Sequence, residues 1–191
     1  MNSCVLLAAG YSSRFGSPKA LAKISDKTVI EHLQYQLLTS WLDEIIIVLG
    51  AHEKLIRPLI LKHKKIKVVY NKDYNLGQTS SFKAGLKGVS QASSLILLLP
   101  VDYPFVQAST IDQLIQRFKE VRCDILLPTF KTKRGHPPVF SSLYRDELLA
   151  LANDQGVNTF FAKHPNDIDE YELNDASIRQ TFNTPEEFGK L

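Results

Sequence analysis

Val5-Leu-Leu-Ala-Ala-Gly10-Tyr-Ser-Ser-Arg14-Phe-Gly16-Ser-Pro18-Lys19-Ala-Leu21 decides how the rest of the chain is read. An apolar run breaks into a loop containing Gly and Ser, and the loop carries the cations Arg14 and Lys19. Such a loop can wrap a polyphosphate with backbone N–H groups and clamp it with the two cations. It is not a Walker A loop, because five residues separate Gly10 from Gly16 and Ser17-Pro18 precede Lys19. It also lacks the G-x-G-x-x-G dinucleotide fingerprint. Pro18 disfavours a helix through Ser17, so the loop is expected to stay extended and to cover a ligand. The plain alternative is a Gly/Ser connection with solvated cations. The combined spacing of Gly10, Arg14, Pro18 and Lys19 argues against it.

Outward from this segment, short apolar runs recur at Cys4–Ala8, Ile45–Leu49, Ile66–Tyr70, Leu95–Leu99 and Ile125–Leu127. They are continuous rather than alternating, which implies strands buried on both faces. Helical periodicity lies between them. Ile30, Leu33, Leu37 and Leu38 share a face behind an Asp26 or Thr28 cap, Leu55 to Ile60 form a second stripe, and Ile111 to Phe118 a third behind Ser109. Strands alternating with helices predict an α/β fold, a three-layer αβα sandwich around a mainly parallel sheet. After Phe130 comes a polar, proline-marked loop. A short strand at Val139-Phe140, helices near Tyr144–Leu151 and Thr159–Lys163 and a strand near Asp169–Leu173 follow. No linker separates the parts, so residues 1–191 read as a single domain, with a 1–130 core and a 131–191 elaboration.

A chain of 191 residues can bury a sizeable core. Its net charge of +3 is too mild to argue for nucleic acid but favours small anions where cations cluster. Cys4 and Cys123 form no CxxC motif and read as reduced thiols. No signal peptide is recognised, and the longest aliphatic run, Leu95 to Leu99, is too short for a bilayer. These features predict a cytoplasmic protein without a membrane partner.

Four further segments carry candidate chemistry. Asp102, in Pro100-Val-Asp102-Tyr-Pro104, lies just past the most apolar strand, where ligands of open α/β sheets bind. Alone it reads as a turn residue; beside the opening loop it reads as a carboxylate for Mg²⁺. Asn75-Leu-Gly77-Gln-Thr-Ser80-Ser81 runs into a helix over 82–86 and suits a phosphate, ribose or base edge, or simply a Thr79 or Ser80 cap. Arg134-Gly-His136-Pro-Pro138 adds a positive patch for a second anionic substrate, or a solvated loop. Asn183 caps the last helix or returns to the metal site. The four lysines of Lys62–Lys67 read as a solvated helix end. The scattered histidines have no zinc-ligand spacing.

In order, these segments resemble the molybdenum-cofactor nucleotidyltransferase family. The opening motif of that family, L-A-A-G-x-S-x-R-x-G-x-x-K, matches Leu7-Ala8-Ala9-Gly10, Ser12, Arg14, Gly16 and Lys19. Asp102-Tyr103-Pro104 is similar to its metal motif, and Gly77, Ser80 and Ser81 to its G-x-x-S-S segment. Gly135-His136-Pro137 matches its G-H-P, and Thr181 to Pro185 its late T-P motif. The Ala-Ala-Gly form and the Gly-His-Pro segment lean towards the cytidylyltransferase branch. The resemblance implies a nucleotide-diphospho-sugar transferase type of fold and a Mg²⁺-dependent transfer of CMP from CTP to a phosphorylated acceptor, molybdopterin. It implies catalysis by Arg14, Lys19 and Asp102, nucleotide contacts from Leu7, Ala8, Ala9, Gly10, Gly77, Ser80 and Ser81, acceptor contacts from Arg134, His136 and Asp154, and metal ligation by Asp102 and Asn183. Asn153-Asp154-Gln-Gly156-Val-Asn158 departs from the branch's G-D-x-G-A-R, losing its Arg. A sugar or polyol phosphate is the rival acceptor. A non-catalytic cofactor chaperone is the rival class, and it adds a molybdoenzyme as partner. A dehydrogenase-like dinucleotide binder has no fingerprint to support it.

Overall fold

The computed structural model describes residues 1–121 and 123–191. The aliphatic runs become β1 (Asn2–Ala8), β4 (Glu44–Leu49), β6 (Leu95–Pro100) and β7 (Ile125–Phe130), and β5 (Ile66–Tyr70) lies at one edge. A two-residue hairpin, β2 (Lys23–Ile24) and β3 (Lys27–Thr28), precedes α1 (Val29–Thr39). The remaining helices are α2 (Glu53–Ile56), α3 (Gln78–Gly88), α4 (Ala108–Val121), α5 (Arg145–Ala150), α6 (Val157–Lys163) and α7 (Pro185–Phe188). Strands β8 (Lys133–Arg134), β9 (Val139–Ser141) and β10 (Ile168–Glu172) complete the list. Among the described residues the main sheet has eight strands in the order β10-β7-β9-β6-β1-β4-β5, with β8 against β7. Pairs β5/β4, β4/β1, β1/β6 and β7/β10 are parallel. Within this sheet, among the described residues, β8 and β9 alone run against their neighbours.

Strand pleating divides the core. Cys4, Leu6 and Ala8 point to the face covered by α1 and α4, and Val5, Leu7 and Ala9 to the face covered by α3, α5 and α6. All seven residues of β1 and all six of β4 and β6 are buried, which explains the unbroken hydrophobicity of Cys4–Ala8, Ile45–Leu49 and Leu95–Leu99 within them. Edge strand β5 is only partly covered. Helix α3 lies close on the sheet because Gly85 has no side chain; a Cβ there would fall 2.3 Å from Val5 Cγ1.

Several local expectations change. Thr28 is the α1 cap, in a reciprocal capping box with Glu31. The 55–60 stripe makes only the four residues of α2 before a 3-10 turn at Arg57–Leu59, since Pro58 interrupts α-helical bonding. Ser109 lies inside α4, and the Gln36 side chain accepts the Ala108 N–H at its start. Lys67 is not at a helix end: it lies in β5 and pairs with buried Glu44.

The topology concentrates chain ends at one edge of the sheet. Leu7 registers with Pro100, so β1 and β6 release the opening loop and Asp102 side by side. Because β9 is antiparallel to β6, its first residue, Val139, registers with Leu97, and the preceding Gly135-His136-Pro137 runs past the C-terminal half of β6 to bring His136 to the cavity that Asp102 lines. His136 N–H donates to Ile178 O, which ties this turn to the segment that returns towards Asn183.

Candidate active site

The opening loop folds on itself instead of staying extended. Ser12 takes a left-handed conformation (φ 55°), as does Gly16 (φ 79°), and the Phe15 and Gly16 amides both donate to Ser12 O. The Lys19 amide donates to Ser12 Oγ at 3.1 Å, and a 3-10 turn runs from Lys19 to Leu21. Local turn hydrogen bonds thus override the extended path set by Pro18. Phe15 is buried and packs edge-on against Phe182 at 5.1 Å and Phe188 at 5.9 Å. That apolar contact brings Arg14, the neighbour of Phe15, to Asn183, the neighbour of Phe182.

The polar result is compact. Lys19 Nζ lies 3.1 Å from Asp102 Oδ2 and 3.0 Å from Asn183 Oδ1, and 5.2 Å from the centre of the Phe182 ring. Arg14 Nη2 donates to the same Asn183 oxygen at 3.1 Å. Asp102 Oδ1 is buried and has no hydrogen-bond partner. Asn183 does not cap α7; Thr184 does, accepting from the Glu187 amide, which leaves the Asn183 carboxamide facing the cations. The Asn183 amide is itself held by Glu187 Oε2 at 2.6 Å.

These groups line one end of a cavity of about 550 Å³. Leu7, Ala8, Ala9, Gly10, Gly77 and Ser81, all expected as nucleotide contacts, line it too, together with Gln78. Gly10 leaves its Cβ position open, with nothing within 4 Å. Helix α3 starts at Gln78 behind Gly77 (φ 96°), so neither Thr79 nor Ser80 is its cap. Ser80 does not line the cavity: its hydroxyl donates to Asp73 O and accepts from Asn71 Nδ2. The Ser81 hydroxyl also accepts from Asn71, so that one carboxamide fixes the first turn of α3.

His136 enters the cavity wall stacked on Tyr103, with ring centres 4.2 Å apart. Burial lowers the His136 pKa to about 4, against the raising pull of Asp102, so its ring is neutral near pH 7. Arg134 and Asp154 are elsewhere. Arg134 pairs with Glu170 at 2.7 Å beside a separate hollow near α6. Asp154 is exposed on the α5–α6 connection, whose Gln155 carbonyl and Asn153 side chain are bound by Thr79 and Lys83 of α3. The sequence reading missed Tyr11, Tyr74, Gln78 and Tyr103 as cavity residues. Gln78 and Tyr103 lie inside quoted motifs, but Tyr74 is brought against Tyr11, ring centres 5.3 Å apart, by a tertiary contact that no local pattern signals.

The donor set suits a hard cation with few protein ligands. Asp102 and Asn183 both line the cavity, one Asp102 oxygen has no hydrogen-bond partner, and phosphates and water would complete the shell, as Mg²⁺ prefers. Among the described residues, no three His, Cys, Asp or Glu side chains gather into a closed metal site. No helix of the described residues is long and apolar enough to cross a membrane.

A family profile described as "MobA-like NTP transferase domain" matches residues 4–168. A protein named nicotine blue oxidoreductase, from Paenarthrobacter nicotinovorans, is 28% identical over 98% of this chain and 94% of its own length. A probable molybdenum cofactor guanylyltransferase from Natranaerobius thermophilus is 28% identical over 75% of this chain and 67% of its own. Among solved structures, Rv0371c from Mycobacterium tuberculosis H37Rv superposes with a TM-score of 0.85 at 25% identity, covering 99% of this chain and 95% of that one. The common architecture is the nucleotide-diphospho-sugar transferase fold, a mostly parallel sheet flanked by helices.

Proposed function

The chain belongs to the MobA-like NTP transferase domain family, and we propose that it transfers a nucleotidyl group, CMP from CTP, to the phosphate of a molybdopterin-type acceptor. The observation that carries this reading is the convergence of Lys19, Arg14, Asp102 and Asn183 at one end of the cavity. The cations suit a triphosphate, and the remaining cavity has space for its nucleoside along Leu7–Gly10, Gly77, Gln78 and Ser81. Asp102 and Asn183 would hold Mg²⁺, which supplies charge neutralisation to the phosphates when bound. Lys19 and Arg14 stabilise charge on the α-phosphate and the leaving pyrophosphate.

In the transfer, an acceptor phosphate oxygen bonds to the α-phosphorus as the bond to the β-phosphate oxygen breaks, and pyrophosphate leaves. A phosphate monoester has its second pKa near ~6, so it reaches pH 7 mostly as the dianion and needs no general base. The neutral His136 ring, stacked on Tyr103, supports a role in orienting the acceptor rather than in carrying charge. Catalysis then rests on positioning and electrostatics.

Base choice rests on Ala8-Ala9-Gly10, against relatives whose names specify guanylyl transfer. The test is pyrophosphate release with Mg²⁺, each nucleoside triphosphate in turn, and molybdopterin, sugar phosphates or polyol phosphates as acceptors. Turnover with CTP and molybdopterin supports the full reading. GTP turnover in its place corrects the base, and turnover with a sugar or polyol phosphate corrects the acceptor. No release with any pair overturns the transferase. A second reading, an oxidoreductase, is favoured by the name of the relative that spans nearly the whole chain, nicotine blue oxidoreductase. It predicts oxidation of a reduced nicotinamide cofactor in the presence of nicotine blue, and no oxidation removes that reading.

A further inference from the structure

The contacts around Lys19 raise a question of order: which of the metal and the triphosphate enters first. We propose that Lys19 is the resident counter-cation of Asp102 and Asn183, and that it excludes a divalent metal from them until a polyphosphate draws its ammonium away. This rests on the nucleotidyl-transfer reading of the same cavity.

Lys19 Nζ stands between the two groups assigned to the metal, 3.1 Å from Asp102 Oδ2 and 3.0 Å from Asn183 Oδ1. Its side chain is only 13% exposed, so solvent screens this pair weakly. The acceptor capacity of Asn183 is also committed. A carbonyl oxygen has two lone pairs, and Asn183 Oδ1 already accepts from both Lys19 and Arg14. A metal can use that oxygen only after a cation leaves it.

Charge points the same way. Among the described residues lining the cavity, Asp102 is the single carboxylate, against Lys19 and Arg14. A dication therefore approaches a net positive cluster, whereas a triphosphate is attracted by it. The ammonium sits on a flexible four-carbon stem and can follow a phosphate, while Asp102 remains fixed just past β6. Its departure frees Asp102 Oδ2 and one lone pair of Asn183, next to the Asp102 Oδ1 that had no partner at the outset. Metal and polyphosphate binding are then positively coupled, and the coupling is reciprocal.

The test is direct Mn²⁺ binding to nucleotide-free protein, read by electron paramagnetic resonance of the free ion. It compares wild type, Lys19→Met, Asp102→Asn and the double variant, with thermal melting to confirm folding. Lys19→Met keeps the stem and removes the charge, and Lys19→Gln replaces it if Lys19→Met does not fold. Removing a unit charge beside a dication is expected to tighten Mn²⁺ binding on the order of 10-fold or more. Asp102→Asn in the same background is expected to abolish the gain. If Lys19→Met binds Mn²⁺ no tighter than wild type while Asp102→Asn weakens it, the counter-cation role is overturned and the metal site stands. If Asp102→Asn changes Mn²⁺ binding in neither background, the metal assignment within the nucleotidyl-transfer reading is itself overturned.

Discussion

Gly10→Ala separates a residue kept for ligand access from one kept for folding. The Gly10 Cβ position has nothing within 4 Å, and its φ is not in the left-handed region, so alanine fits without strain. Restricting the unfolded chain then stabilises the protein by about 0.4–1 kcal/mol, which for a chain of this size raises Tm by roughly 1–4 °C. The same methyl group would occupy open space at the wall of the cavity, where the proposed nucleotide lies against the opening loop. One methylene in the wrong place costs about 1–3 kcal/mol, so nucleotide affinity falls on the order of 10-fold or more. Gly50 is the contrasting control. A Cβ there would lie 2.5 Å from Ala9 O and 2.7 Å from Tyr74 Cβ, so Gly50→Ala must move backbone and is expected to cost about 1–3 kcal/mol in stability. Scanning fluorimetry without ligand and titration calorimetry with CTP, or with GTP if that is the substrate, measure both effects. A Gly10→Ala protein that melts lower, or binds nucleotide like wild type, refutes the assignment of the loop.

Three more outcomes follow from contacts already described. Lys19→Ala is expected to lower turnover by on the order of 10²-fold, as the loss of one preorganised donor does; unchanged steady-state kinetics would remove Lys19 from the catalytic set. Thr28→Ala opens the capping box, in which Thr28 Oγ1 and N–H both bond Glu31 Oε2, and is expected to cost about 1 kcal/mol in urea unfolding. His136 has a native pKa near 4, below its unfolded value of about 6.5. Between those values the unfolded chain binds a proton that the native protein refuses. The His136 contribution is therefore full above about pH 6.5 and lost as pH falls towards 4, by about 3 kcal/mol in all. Stability measured across that window should fall less steeply for His136→Phe than for wild type; parallel curves would contradict the burial argument.

What the sequence made legible was what is local or repetitive. Continuous aliphatic runs located β1, β4, β6 and β7 because double-sided burial leaves that mark on composition. The position of Asp102 followed from the rule that ligands gather beyond strand ends. Errors arose where a tertiary partner decided the local outcome. Gln36 from α1 serves the start of α4, which no reading of Ser109 discloses. Asn71 and Asp73 occupy the Ser80 hydroxyl, removing it from a site to which its motif had assigned it. Glu170 pairs with Arg134, which lines a separate hollow rather than the cavity. Charge in a loop marks the possibility of an anion site; the pairing of that charge depends on residues brought from elsewhere in the chain.

The same distinction explains how the cluster at the cavity end is held. Arg14 and Asn183 are 169 positions apart, yet their hydrogen bond is a by-product of packing, since Phe15, Phe182 and Phe188 join the loop to the C-terminal segment. The ion pair of Lys19 with Asp102 contributes little net stability, because desolvating two charges offsets most of their attraction. Asp102 Oδ1, buried and unpaired, is unfavourable in isolation, at about 1–3 kcal/mol for a polar group without a partner. A fold selected for stability alone has no use for that arrangement. Apolar contacts worth several kcal/mol hold polar groups in a configuration those groups would not adopt by themselves, and the resulting deficit of partners is what a phosphate and its metal can supply.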